Sequence, residues 1–255
     1  MKPRLISRNI LYALKGRSVR VKPGELNQTY VAYDDETMIH FCRWKRKERY
    51  EKGVSAGIKR LLREYRLDKI EISKPGAFID CGANIGELGI WSQSFGFTYF
   101  PFEPEELEAK CCDMNNFNGR EVTARKALWN KNTTLTFFSK PDSADSSVFE
   151  IKGSLSKIEV EAVTLDSQKI QLDPRADNIL KLEAEGAEPE VLEGSVETLK
   201  GIRYVVADCG YERGINQDDT FIPVLDFLFS RQFRLTHCNF KNRVTAIFEK
   251  DRNDE

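Results

Sequence analysis

Histidine is nearly missing from this 255-residue chain, which has only His40 and His237. Its six cysteines, at 42, 81, 111, 112, 209 and 238, include no C-x-x-C pair. These two shortages together exclude a zinc site of ordinary spacing and a secreted disulfide framework. Cys81, Cys209 and Cys238 fall inside apolar runs, where a cysteine serves as a small buried hydrophobe, and this usage fits a reducing cytoplasm. No run of about eighteen apolar residues exists, so nothing reads as spanning a bilayer. The first residues lack the compact apolar core and small-residue cleavage site of a signal peptide. Net charge is lacking too: 39 Lys and Arg against 40 Asp and Glu leave no overall field to select nucleic acid. Any electrostatic partner must therefore answer to a local cluster.

Two such clusters stand near the start. Residues 1–22 carry Lys2, Arg4, Arg8, Lys15, Arg17, Arg20 and Lys22 with no acid, while Leu5, Ile6, Ile10, Leu11 and Leu14 fall near helical spacing. Two readings stay open: a surface helix that packs its apolar stripe on the body of the protein, and a peripheral contact with a membrane or another anionic partner. The run "RWKRKERYEK" concentrates Arg43, Lys45, Arg46, Lys47, Arg49 and Lys52. It suits a phosphorylated or lipid-linked acceptor, or else a solvated helix start with Glu48 and Glu51 as local partners. Nucleic acid is not expected, because aromatic platforms are not interleaved with the basic residues.

The 40% apolar content supports one substantial core with some elaboration. Alternation over residues 18–44, with turns at Pro23-Gly24 and Asp34-Asp35, predicts a β-rich lead-in. Val54, Ile58, Leu61, Leu62 and Tyr65 then predict a helix that Lys74-Pro75-Gly76 closes off. The boundary expected there separates an N-terminal β/α extension, 1–73, which would cap the site or form its substrate side, from a main domain, 74–255. From residue 77 onward strand-like and helix-like runs alternate: "AFID", "FTYFPFE", "REVTARKALW", "NILKLEAE" and "RYVVAD" read as strands with helices between. This is the pattern of a parallel sheet covered on both faces. Residues 133–139 and 156–165 add strands around a polar flap at 139–157, and "FRLTHCNF" with "RVTAIFEK" predicts an antiparallel edge hairpin.

"FIDCGANIGELGI" places Asp80, Gly82, Ala83, Asn84 and Gly86 between a strand and a helix, beyond the carboxyl end of the strand, where such sheets bind ligands. Glycines let backbone approach a ligand closely, and free N–H groups at the helix start favour an anionic group. Glu103 ends the next strand about twenty residues on and is placed to hold the hydroxyls of a ribose, with Pro104 opening the next helix. The loop reads D-C-G-A-N-I-G rather than G-x-G-x-x-G; an acid before the first glycine repels pyrophosphate and suits the ammonium group of S-adenosylmethionine. Lys181, Glu183 and Glu185 alternate at the end of "KLEAEGAE", so period two sets them on one side, in a central strand whose faces are both covered. Burial there favours pairing of Lys181 with a carboxylate. Glu188 reads alternatively as a helix-start acid.

"FIDCGANIGELGI", "PFEPEE", "ARKALWN", "EAVTLDS" and "ILKLEAEGAEPEVLEGS", in this order and spacing, resemble the FkbM family of S-adenosylmethionine-dependent methyltransferases over about residues 76–250. The resemblance implies a class I methyltransferase fold, α/β and Rossmann-like, with seven strands and a reversed final hairpin. It also implies O-methylation of a sugar, glycoconjugate or natural-product hydroxyl, with release of S-adenosylhomocysteine. Glu183 stands where the family more often has aspartate, and Asp208 where it more often has glutamate, which keeps charge and moves reach by one methylene. By this resemblance Asp80, Gly82, Ala83, Asn84 and Gly86 cradle the methionine part, Glu103 and Pro104 flank the ribose, and Ala127, Leu128 and Trp129 approach adenine. Glu183 is the first choice of base, with Glu185, Asp208 and His237 behind it, and Lys181 completes the catalytic set as the partner of a carboxylate. No metal ligand set is read, although clustered acids can hold magnesium. The rival readings are a non-catalytic cofactor-binding module and an NAD-dependent oxidoreductase.

Overall fold

Acid-free helix formers at the start of the chain build α1 (Pro3–Leu14), which lies against an antiparallel sheet of β1 (Arg20–Pro23), β2 (Tyr30–Tyr33) and β3 (Met38–Phe41). The computed structural model describes residues 3–139, 146–150, 156–241 and 243–251, so most of the flap expected at 139–157 lies outside the described residues. The β2–β3 turn is made by Asp34, whose Oδ1 accepts the N–H groups of Glu36 and Thr37. A 3-10 strap, Trp44–Tyr50, then leads into α2 (Val54–Glu64).

Apolar strands of the second unit form the central sheet. β4 (Pro75–Cys81), α3 (Glu87–Ser94), β5 (Thr98–Phe102) and α4 (Glu106–Asn116) come first. A side sheet follows, made of β6 (Ala127–Leu128), β7 (Thr133–Ser139), β8 (Ser146–Ser147) and β9 (Ser156–Val163) in the order β6-β9-β7-β8. β10 (Asp177–Leu182), α5 (Glu188–Glu193), β11 (Tyr204–Asp208), α6 (Phe221–Phe229), β12 (Phe233–Asn239) and β13 (Thr245–Lys250) complete the chain.

The central order is β12-β13-β11-β10-β4-β5. β5, β4, β10 and β11 are parallel, and β13 runs antiparallel between β11 and β12. This is a class I methyltransferase sheet with its reversed hairpin. The chain winds outward from β4 to β5 and, on the other side, from β10 to β11, so the switch point falls between β4 and β10. Ligand crevices open there, beyond the strand carboxyl ends.

The seventh strand implied by the resemblance is reduced to one parallel bridge, Phe102 with Ala124. The reason is local: Asp113 Oδ1 on α4 accepts the N–H groups of Val122 and Thr123, and Lys126 N–H turns back to Ala124 O. The Val122 and Lys126 donors are thereby lost to a ladder with β5.

Period two sorts the core. Ile79, Leu180 and Val205 face α5 and α6, while Phe78, Ile179 and Val206 face α2 and α3. A third cluster joins Phe41, Tyr50 and Val54 of the N-terminal part to Ile85, in the turn after β4, and to Cys111 of α4. Each part has its indole: Trp44 sits 4.9 Å from Tyr30, Trp91 5.8 Å from Phe78, and Trp129 6.4 Å from Phe149, ring centre to ring centre. Cys81 and Cys209 are buried as expected, but Cys238 is exposed, because β12 is the edge strand and turns that side outward. Among the described residues no helix is long and apolar enough to cross a membrane.

Candidate functional site

The loop after β4 is shaped by left-handed residues. Gly82 has φ +71° and Gly86 φ +76°, and Asn84, a residue that tolerates this region, has φ +50°. A Cβ on Gly82 would stand 2.2 Å from the Glu183 carbonyl oxygen, so the ends of β4 and β10 can meet only over a glycine. The amides of the loop itself are taken. Gly82 and Ala83 donate to Phe102 O, Asn84 donates to Glu103 Oε2, Ile85 to Asn84 Oδ1 and Gly86 to Ala83 O. Recognition at this loop therefore falls to side chains and carbonyls rather than to open amides.

Glu103 holds the loop from the end of β5. Its Oε2 accepts Asn84 N–H at 2.8 Å and its Oε1 accepts Glu105 N–H at 2.9 Å. Each oxygen keeps a further lone pair. Burial pushes its carboxyl up to about 8, against the pull of those amides. Pro104 precedes the Glu105 cap of α4 and so does not open the helix as expected. Glu103 and Pro104 line a cavity of about 270 Å³, whose apolar wall is Phe102, Ala127, Leu128, Phe137 and Val148. Trp129 is not in that wall; it packs with Ala127, Phe137 and Val160 of the side sheet.

Across the cavity floor runs a chain of charges. Lys181 Nζ stands 3.1 Å from Asp80 Oδ1 and 3.0 Å from Glu183 Oε2, and donates to the carbonyls of Cys81 and Gly82. Asp80 also accepts the Tyr99 hydroxyl at 2.8 Å. The loop acid is thus already matched by a cation. Glu183 further accepts hydrogen bonds from the Tyr65 hydroxyl and from Arg243. Burial would raise its carboxyl, but Lys181 and Arg243 outweigh it and hold Glu183 well below the usual carboxylate range. The next carboxyls behave oppositely. Asp208, at the end of β11, pairs with Arg243, yet burial and the nearby Glu183 charge push it up to about 7. Burial with Glu183 and Asp208 close by pushes Glu212 up to about 8. Glu212 lines the cavity, and its Oε2 is sealed from solvent with no hydrogen-bond partner among the described residues.

The alternation read for Lys181, Glu183 and Glu185 stops early, because β10 ends at Leu182 and Glu185 turns at φ +51°. Glu185 still lines the cavity, and its carbonyl accepts the Ser147 hydroxyl. Glu188 is a helix-start acid: it accepts the N–H groups of Ala184 and Gly186 and the Thr220 hydroxyl. Neither histidine lines the cavity; His237 is exposed on β12, and His40 lies on β3, where its N–H donates to Asn115.

Arg46 and Arg49 of the basic run form the remaining wall; of the local partners expected, Glu48 lies 3.8 Å from Lys47, while Glu51 pairs with Lys15 instead. Arg46 donates to Asn84 Oδ1 at 2.7 Å and to Glu87 Oε2 at 2.8 Å, Arg49 reaches both Glu87 oxygens, and Arg43 pairs with Glu105 and Glu108. Burial opposes the Glu87 charge, but Arg46 and Arg49 pull its carboxyl down to about 2. These arginines serve as a clasp between the strap and the glycine loop. Sequence reasoning missed Tyr65, Glu212 and Arg243; the acid in "YERG" and the arginine before "VTAIF" carry no local pattern that marks them.

A nucleoside with a charged amino-acid tail fits this donor set. Glu103 offers acceptors for a diol, the apolar wall suits a flat base, and carbonyls and carboxylates lie at the other end. Among the described residues no group of three or more His, Cys, Asp or Glu is arranged to hold a metal. Comparison with curated proteins gives no match. Among solved structures the chain is similar to magnesium protoporphyrin IX methyltransferase from Synechocystis PCC 6803 with bound SAM, at 10% identity over 80% of this chain and 81% of that one, TM-score 0.41. It is similar to a SAM-dependent methyltransferase from Aquifex aeolicus at 13% identity, over 81% and 92%, TM-score 0.44. A third similarity is to M. jannaschii TYW2 in complex with AdoMet, at 10% identity, over 93% and 95%, TM-score 0.42. The model of the Methyltransferase FkbM domain matches residues 80–235, more than half of the chain. The chain belongs to the FkbM methyltransferase family.

Proposed function

We propose that this protein transfers the methyl group of S-adenosylmethionine to a hydroxyl oxygen of a sugar, glycoconjugate or natural product. The observation that carries the reading is Glu212, which lines the cavity with its Oε2 sealed from solvent and without a hydrogen-bond partner among the described residues, its carboxyl raised to about 8 by burial beside Glu183 and Asp208. When bound, the cofactor supplies an electrophilic methyl on a sulfonium whose departure leaves a neutral thioether. The chain then has to place an acceptor and take its proton, and positioning does most of the work.

Glu103 holds the ribose hydroxyls, and Phe102, Ala127 and Leu128 pack the base. Asp80, Gly82 and Asn84 border the methionine part, with Lys181 fixing the Asp80 carboxylate and the Cys81 and Gly82 carbonyls. Glu212 is the base. A hydroxyl needs an acceptor for its proton as its oxygen becomes bonded to carbon, and a carboxyl raised toward neutral pH is a far stronger base than Glu183, which three donors hold ionised. Glu183 positions Arg243 and Lys181 instead.

The test is turnover of the purified chain with S-adenosylmethionine and a panel of hydroxyl, amine and carboxylate acceptors, read as S-adenosylhomocysteine release with product identification by mass spectrometry. Methyl ethers from hydroxyl acceptors support the reading. Methylation confined to nitrogen or carboxylate acceptors overturns it. Cofactor binding without turnover on any acceptor favours the non-catalytic module.

A further inference from the structure

The helix α1 presents the wrong face to water. Asn9 exchanges a pair of hydrogen bonds with the backbone of Val21 on β1, its Nδ2 donating to the carbonyl at 2.9 Å and its Oδ1 accepting the N–H at 2.8 Å. Tyr12, fully buried, donates its hydroxyl to the Lys47 carbonyl of the strap, and Leu5 is buried beside it. These contacts fix the rotation of the helix about its axis. The side turned outward is then Ile6, Ser7, Ile10, Leu11, Ala13 and Leu14, all exposed, with Ile10 at 55% and Leu14 at 81%. A helix that covers a core shows polar residues on that side. This one is apolar on both.

The surrounding charge says what covers it. Residues 1–22 hold seven lysines and arginines and no acid; Lys15 and Lys22 are exposed, and one acid from outside, Glu51, pairs with Lys15 at 3.1 Å. A second copy of the chain laid on this face would set cations against cations. Nucleic acid would meet aliphatic side chains with nothing to stack on. An apolar stripe bordered by cations matches the boundary between acyl chains and anionic headgroups. Twelve residues rise only about 18 Å, well short of the hydrocarbon thickness, so the helix lies in the surface and does not cross it.

We infer that the outer face of α1 docks the protein onto an anionic lipid surface, with Ile6, Ile10 and Leu14 entering the interface and the exposed Lys15 and Lys22 meeting the headgroups. The inference concerns attachment and holds whatever the acceptor is.

The experiment is co-sedimentation of the full chain with vesicles of phosphatidylcholine alone or mixed with phosphatidylserine, at low and high salt. Binding is expected with the mixed vesicles, weaker in salt and much weaker to neutral lipid. The double variant Ile10→Glu, Leu14→Glu changes only exposed side chains and should lose at least about tenfold in partitioning, from the burial each aliphatic chain contributes. Its circular dichroism and cofactor titration should match the wild type. No co-sedimentation with the mixed vesicles, or equal binding by the variant, overturns the inference. So does light scattering that shows a dimer abolished by the variant with no vesicle binding, which would make a second copy the occupant.

Discussion

Glu87 shows how one buried acid secures a wall of the site. It is 3% exposed and meets Arg46, Arg49 and Tyr50. Replacing it by glutamine leaves two guanidinium groups short of their counter-charge, and Glu87→Gln should cost about 3–5 kcal/mol in urea denaturation. The pH window follows from its carboxyl lying near 2, below its ordinary 4.5. The ion pairs stabilise fully above 4.5 and the contribution drains away as pH falls toward 2, so the gap between wild type and variant should close over that interval. Glu212 has the opposite sign. A base must be deprotonated to act, so turnover should climb as pH rises through about 8, whereas Glu212→Gln should lose about 10²–10⁴-fold and the climb with it. Glu103→Ala removes the acceptors assigned to the ribose and should weaken S-adenosylmethionine by at least about tenfold in calorimetry. Asp80, Glu103 and Lys181 were legible in the sequence because each ends a strand, where period and position are read together. Tyr65, Glu212 and Arg243 were not, since only the fold brings them onto Glu183 and Asp208. Glu183 was the first choice of base because sequence places a carboxylate without its donors; Lys181, Tyr65 and Arg243 around it are what turn our proposal to Glu212.

At the scale of elements, strands and helices from β4 onward followed from apolar period and from glycine and proline punctuation. One exception is instructive. "REVTARKALW" alternates as a strand should, yet Asp113, on α4, takes the amide of Val122 that a ladder with β5 would use, along with that of Thr123. A side chain on another element outcompeted the sheet. The glycine loop makes the sharpest prediction. Gly82→Ala puts a methyl 2.2 Å from the Glu183 carbonyl at a positive φ, so β4 and β10 must separate at their ends. The variant should lose about 1–3 kcal/mol of stability from backbone strain alone and bind the cofactor more weakly, as thermal melts with and without S-adenosylhomocysteine would record. The ion pairs of the strap were not foreseen for a related reason. Its arginines find partners 38 to 65 positions away, at Glu87, Glu105 and Glu108, beyond any local rule of charge pairing.

For the whole molecule, the parallel sheet, its reversed hairpin and an N-terminal part on the substrate side were expected, whereas the arginines that carry that part to the cavity were not singled out. Arg46 and Arg49 of the strap, the β4 and β10 ends, and Phe137 and Val148 of the side sheet all border one space. A ligand there touches three separately built parts. S-adenosylhomocysteine at a hundredfold excess over its dissociation constant should add about 2.7 kcal/mol to unfolding and raise the melting temperature of the chain as one transition. Those three parts also own one indole each, since Trp44, Trp91 and Trp129 are the only tryptophans in the sequence. The protein therefore comes with its own fluorescent labels, already sorted by location. Chains that keep a single indole would give three emission curves, and their order along a denaturant series would tell which wall of the cavity lets go first.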